Sequence, residues 1–155
     1  MNRTPTRGAD GTLTDTGPLF ALVDSKGQPE QSARCTALLT VLPMPMVTTW
    51  PCLAEVMHLT GREGGWAMRK LIVEYIVSDM LRLHAPTREE TARILQLMEQ
   101  YADRPMDLAD ASLVALAEAH GYRRIFSIDS DFYVYRLSDG SALEVVPGPI
   151  PKRRA

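Results

Sequence analysis

Apolar residues change their spacing repeatedly along this chain. Short runs of β-type residues alternate with longer stretches whose apolar positions recur every three or four residues. A first strand is predicted at residues 11–15, running straight into "TGPLFALVD", where Gly17 and Pro18 suit a tight strand-to-helix turn. A helix is predicted over residues 29–42, with proline at its start. "MPMV" at 44–47 reads as a second strand, and Thr48 or Thr49 caps a helix through Leu59 with Pro51 in its first turn. After the turn "TGREGG", Met68, Leu71, Ile72, Tyr75 and Ile76 fall on one helical face. Residues 80–83 form a third predicted strand. "TREE" at 87–90 is a capping box that opens a helix burying Ile94, Leu97, Met98 and Tyr101. "RP" at 104–105 ends it, and the next helix begins near Asp107 and stops at Gly121. "RRIFSI" is a fourth strand and residues 142–146 a last one. Strands alternating with helices predict an α/β fold around a mostly parallel sheet.

Composition narrows the class. The 155 residues suffice for one domain with a real core, and 23% charged with 45% hydrophobic residues is ordinary for a globular chain. The expected layout is a flexible leader over 1–10, one domain over 11–147, and a disordered, basic, proline-rich tail over 148–155. No apolar run approaches the roughly 20 residues that span a bilayer, and the N-terminus lacks a secretory h-region, so no membrane partner and a cytoplasmic location are expected. Cys35 and Cys52 lie outside any CxxC pattern and read as reduced, buried thiols. A formal charge of −2 gives no global basic field, so a nucleic-acid partner has to be held by a local patch.

The acids stand out once placed on this map. Asp15 ends strand one, Glu55 lies one to two turns into the helix after strand two, Asp110 lies in the first turn of the helix before strand four, and Asp129 ends strand four. In a parallel α/β sheet, strand C-termini and the helix starts that follow them share one ligand-binding rim. Asp110 fits less simply: its helix precedes strand four and is expected to start at the opposite edge, unless the loop from Tyr101 to Met106 first returns the chain. Two carboxylates about 5 Å apart repel by roughly 3 kcal/mol at an effective dielectric near 20, so such a cluster requires protons or a cation. Oxygen-only ligands suit Mg²⁺ or Mn²⁺.

Each acid also has a plain structural explanation. Asp107 reads as an N-cap, and Asp110 as an acid favoured by the helix dipole. Asp15, Asp129 and Asp131 suit turns. Glu55, among Leu53, Ala54, Val56, Met57 and Leu59, has the weakest local reason to be charged. There is no GxxxxGK[ST] and no GxGxxG after a strand. His58, His84 and His120 are scattered and read as structural. Ser127 in "FSID" is a strand-end hydroxyl able to orient Asp129 or a bound water.

The blocks "LTDTGPLFALVD", "TTWPCLAEVMHL" and "MDLADASLVALAEAHGYRRIFSIDSDFYVYR" resemble those of PIN-domain ribonucleases, most of all the VapC-type toxins of toxin–antitoxin pairs, over residues 12–147. The order carries the likeness: an acid after the first strand, a "TT…E" helix, "DA" opening a helix, and "[TS]xD…F" ending a strand. The resemblance implies a Rossmann-like three-layer α/β/α sandwich around a short parallel sheet. It places the catalytic and metal-holding set on Asp15, Glu55, Asp110 and Asp129, with Asp131 as an additional ligand and Ser127 and Thr16 as supporting hydroxyls. It also implies Mg²⁺- or Mn²⁺-dependent cleavage of RNA phosphodiesters by metal-activated water, a homodimer, and a small antitoxin partner. The alternative is a catalytically inactive module of the same fold that contacts RNA or a partner protein. "DTGPL" lacks the second aspartate of a haloacid-dehalogenase signature, which argues against that phosphotransferase class.

Overall fold

The computed structural model describes residues 9–61, 65–104 and 106–147. The expectations for residues 1–8, the turn at 62–64 with Arg62, Pro105 and the basic tail lie outside the described residues.

Five parallel strands form one sheet: β1 Thr12–Thr14, β2 Met46–Thr49, β3 Leu81–His84, β4 Arg124–Phe126 and β5 Glu144–Val146, in the order β3-β2-β1-β4-β5. The helices are α1 Thr16–Val23, α2 Pro29–Leu38, α3 Trp50–Leu59, α4 Gly65–Val77, α5 Arg88–Gln100 and α6 Leu108–His120, followed by a short 3₁₀ turn at Asp131–Tyr133. β1 and β2 are buried along their whole length, because both sheet faces are covered. Leu13, Val47, Ile125 and Val145 join one core with α5, α6 and the segment through Phe132 and Leu143. Met46, Leu81 and Phe126 join a second core with α1, α2 and α4. Alternate residues of the strands therefore serve opposite cores, which makes the molecule the three-layer sandwich that the sequence predicts.

Local signals mark most element ends. Thr87 and Glu90 complete a capping box, and Gly121 closes α6 in the left-handed conformation at φ 77°. Some boundaries differ, although Thr49 does hold the N-cap position of α3. β2 begins at Met46 and runs on to Thr49, because Pro45 has no N–H to give the ladder and the buried Thr48 hydroxyl donates to the Thr14 carbonyl. α2 stops at Leu38, and residues 39–42 continue as turns. On α4, Met68, Ile72, Tyr75 and Ile76 pack into the core, whereas Leu71 is exposed. Met98 on α5 is likewise exposed. Trp50 and Trp66 face solvent. Cys35 and Cys52 are free and buried, and burial pushes both thiols up to about 11.

The path of α6 explains how Asp110 reaches the strand-end rim. Arg93 on α5 pairs with Glu118 on α6 at 2.8 Å, and Glu90 at the start of α5 meets His120 at the end of α6. The two helices are antiparallel, so the chain is back at the start of α6 when α5 ends; the return expected of the loop from Tyr101 to Met106 is made by α5. α6 packs on one face of the sheet and passes close to three strand ends. Asp110 sits in one cleft with Asp15 after β1. The hydroxyls of Ser112 and Thr49, at the end of β2, share a 2.6 Å hydrogen bond. The His120 and His84 rings, the latter at the end of β3, stand 5.0 Å apart edge to face. The expected start at the opposite edge assumed a helix running back along its strand, and α6 does not do so.

Candidate active site

Asp15 is the residue at which β1 becomes α1. It caps that helix: the Thr16 N–H donates to Oδ1 at 2.8 Å, and the Ser127 hydroxyl donates to Oδ2 at 3.0 Å. Both oxygens are thus held, and the residue is only 6% exposed. Gly17 follows because the turn is crowded. A Cβ there would stand 2.7 Å from Cγ1 of Ile128, beside the strand-four loop. That contact keeps the Asp15 turn and the Asp129 loop adjacent.

Glu55 projects from α3, which Pro51 and Thr49 start directly after β2. Its Oε2 accepts from the Thr16 hydroxyl at 3.1 Å, so Thr16 steadies one acid with its amide and another with its side chain. Asp107 caps α6 as expected, accepting from the Asp110 N–H at 2.8 Å. Asp110 is 7% exposed and accepts from the Tyr135 hydroxyl at 2.9 Å. The Asp129 amide donates to Ser127 Oγ at 3.1 Å. Ser127 therefore orients the Asp129 backbone, as expected, and Asp15 as well.

Asp15, Glu55, Asp110 and Asp129 line one open cleft of about 520 Å³, together with Asp107, Thr16, Gly17, Leu59, Ile128 and Ser130. Five of these ten residues are acids, and among the described residues lining the cleft none is Lys, Arg or His. Asp131 is not among the residues that line this cleft but stands directly beside Asp129. Its amide donates to Asp129 Oδ1 at 3.1 Å, and its side chain lines the adjoining cleft with Asp103, Arg104, Val134 and Tyr135. The Asx turn keeps Asp131 beside Asp129, and its carboxyl is raised by burial and by repulsion from Asp129 and Asp107.

Protonation reflects this crowding. Burial pushes the Asp15 carboxyl up to about 6, against the hydrogen bonds from Thr16 and Ser127 and with repulsion from Asp129 and Glu55. Burial also raises Asp110 to about 7, opposed by the Tyr135 hydroxyl and reinforced by Asp107, Asp15 and Asp129. Both groups keep their protons to a higher pH than an ordinary aspartate, and positive charge in the cleft would favour their ionised forms. The donor set is oxygen alone, which fits a hard divalent ion such as Mg²⁺ or Mn²⁺.

Tyr135 was missed by sequence reasoning. It is one of three aromatic residues in "DFYVY", and no spacing marks which of them turns inward. Its tie to Asp110 exists only because the segment after the 3₁₀ turn folds back over the start of α6. His84, Glu90 and His120, unremarkable in sequence, form a compact cluster away from the acids.

No curated protein matches this sequence significantly. Solved structures similar in fold include the Mycobacterium tuberculosis toxin VapC20, which cleaves the sarcin-ricin loop, at 19% identity and TM-score 0.70, covering 79% of this chain and 93% of that one. A toxin–antitoxin complex from Klebsiella pneumoniae aligns at 17% identity and TM-score 0.60, over 78% of this chain and 89% of that one. VapBC2 of Rickettsia felis, bound to a DNA fragment of its promoter, aligns at 11% identity and TM-score 0.57, over 86% and 96%. The PIN domain family matches residues 12–137, the span that contains every strand but β5 and all the acids of the cleft. The chain belongs to the PIN domain family.

Proposed function

We propose that this protein is a Mg²⁺- or Mn²⁺-dependent endoribonuclease and the toxin of a type II toxin–antitoxin pair. The observation that carries the reading is the meeting of Asp15, Glu55, Asp110 and Asp129, from four separate segments, in one cleft whose described lining has no cation. Proteins of similar fold include an RNA-cleaving toxin and two toxin–antitoxin assemblies, which favours RNA as substrate and a small antitoxin as partner.

Asp15, Glu55, Asp110 and Asp129 would hold the divalent ion, which supplies Lewis-acid stabilisation of phosphodiester charge and an acidified water. The chain's own contribution is preorganisation. Asp15 is fixed through both oxygens, and Asp110 through Tyr135, so the buried ligands need little rearrangement. Glu55 and Asp129 stand at the open side, where substrate enters. Without positive charge in the cleft these carboxylates repel a polyanion, so RNA binding and ion binding favour one another. Several cations of the sequence are engaged elsewhere: Arg123 with Asp139, Arg124 with Glu144, Lys70 with Glu74, and Arg136 with carbonyls of residues 133–135. Arg104 borders the cleft lined by Asp131 and Tyr135, where it is available to an RNA backbone.

A partner surface is also present. Trp66, Val73 and Val77 of α4 line an exposed apolar groove flanked by Arg69, Lys70 and Glu74. Such a patch suits an antitoxin segment or a second copy of the chain.

The test is cleavage of RNA by purified protein with Mg²⁺ or Mn²⁺, with EDTA, and with Asp15→Asn or Asp110→Asn. Cleavage is expected only with ion and intact acids; cleavage that persists in EDTA or in both variants sinks the reading.

A further inference from the structure

We propose that His84, Glu90 and His120 form a second metal site, selective for a borderline transition ion such as Zn²⁺, Co²⁺ or Ni²⁺. It is separate from the acid cleft, and the proposal does not depend on ribonuclease activity.

The three side chains come from three elements: the end of β3, the first turn of α5 and the last turn of α6. Glu90 stands between the two rings, with His84 Nε2 at 2.6 Å from Oε2 and His120 Nε2 at 3.1 Å from Oε1. One ligand atom from each residue lies within 4.8 Å of the others. Bonds of about 2.0–2.2 Å to one ion require those atoms to approach to roughly 4 Å or less. His120, whose side chain is 47% exposed, can make that adjustment, and its exposure leaves an entry path and room for water as a fourth ligand.

The other two ligands are already set. Glu90 is 7% exposed, and the Thr87 amide donates to its Oε2 within the capping box. His84 is 21% exposed at the strand end. Nε2 of each ring faces Glu90, and in the tautomer protonated at Nδ1 it presents its lone pair to an ion. Glu90 contributes the carboxylate oxygens that both imidazoles already face. Two imidazoles and one carboxylate favour Zn²⁺, Co²⁺ or Ni²⁺ over Mg²⁺, the reverse of the oxygen-only cleft.

The experiment is calorimetric titration of tag-free protein with Zn²⁺, in an Asp15→Asn/Asp110→Asn background that weakens uptake by the acid cleft. One equivalent is expected to bind. Co²⁺ should give visible bands typical of a site with nitrogen ligands. Adding His120→Gln, a change at a half-exposed position, should abolish both signals; Glu90→Gln, which can still complete the capping box, should weaken them. Uptake unchanged by His120→Gln overturns the proposal. So does a background protein that takes up none of the three ions while melting cooperatively.

Discussion

Asp15 and Asp110 sit in the floor of the acid cleft, 6% and 7% exposed, each anchored by a hydroxyl from a distant segment. Glu55 and Asp129 meet them in the same cleft from its solvent side. The buried pair carries the desolvation cost of the site and holds a fixed geometry. The exposed pair faces solvent, each with one oxygen held, Glu55 by the Thr16 hydroxyl and Asp129 by the Asp131 amide. A cleft divided in this way is preorganised where an ion is seated and open where substrate arrives.

The largest expected effect breaks the comparison at its floor. Asp15→Asn or Asp110→Asn should lower RNA cleavage by at least about 100-fold, measured under single-turnover conditions with Mn²⁺. The same Asp110→Asn change should stabilise the ion-free protein at pH 8, by on the order of 2 kcal/mol in urea unfolding, because a buried charge is removed. Glu55→Gln or Asp129→Asn should also impair cleavage but leave ion-free stability within about 0.5 kcal/mol. Equal stability effects in both pairs would erase the distinction.

The pH dependence tests the same division. Both buried carboxyls titrate in the folded protein above their ordinary value of 3.8, at about 6 and about 7. Between about pH 4 and 7 the folded state therefore holds more protons than the unfolded chain. The stability these groups contribute is present at low pH and lost as pH rises through that window. Melting curves in EDTA should show this loss, and the rise in Tm given by Mn²⁺ should grow from pH 5 to pH 8. An ion effect independent of pH would separate the buried pair from ion binding.

Smaller effects sharpen the picture. Tyr135→Phe leaves Asp110 without its donor and should cost about 1 kcal/mol. It should also move the acid limb of the cleavage profile to higher pH, because that hydrogen bond lowers the Asp110 carboxyl. Asp131→Asn should change cleavage least, since Asp131 is not among the residues lining the acid cleft.

Much of this was legible in the sequence because it is local. The Asp15 turn, the Thr87 capping box, the Asp107 cap and the Gly121 stop depend on neighbours within a few residues, and each was read correctly. The strand-end positions of Asp15 and Asp129 follow from strand patterning. The route that brings Asp110 into the cleft is not legible in the sequence, because the passage of α6 near the strand ends depends on packing between α5 and α6. Tyr135 and the His84–Glu90–His120 cluster rest on contacts 25 and 30 residues apart in sequence, which no local pattern encodes.

The course of α6 has one more consequence. From Asp110 to His120 a rigid helix rises about 15 Å, so the acid pocket and the imidazole cluster are opposite ends of a single rod. No loop intervenes between the two, so helix backbone alone sets how far apart they stand.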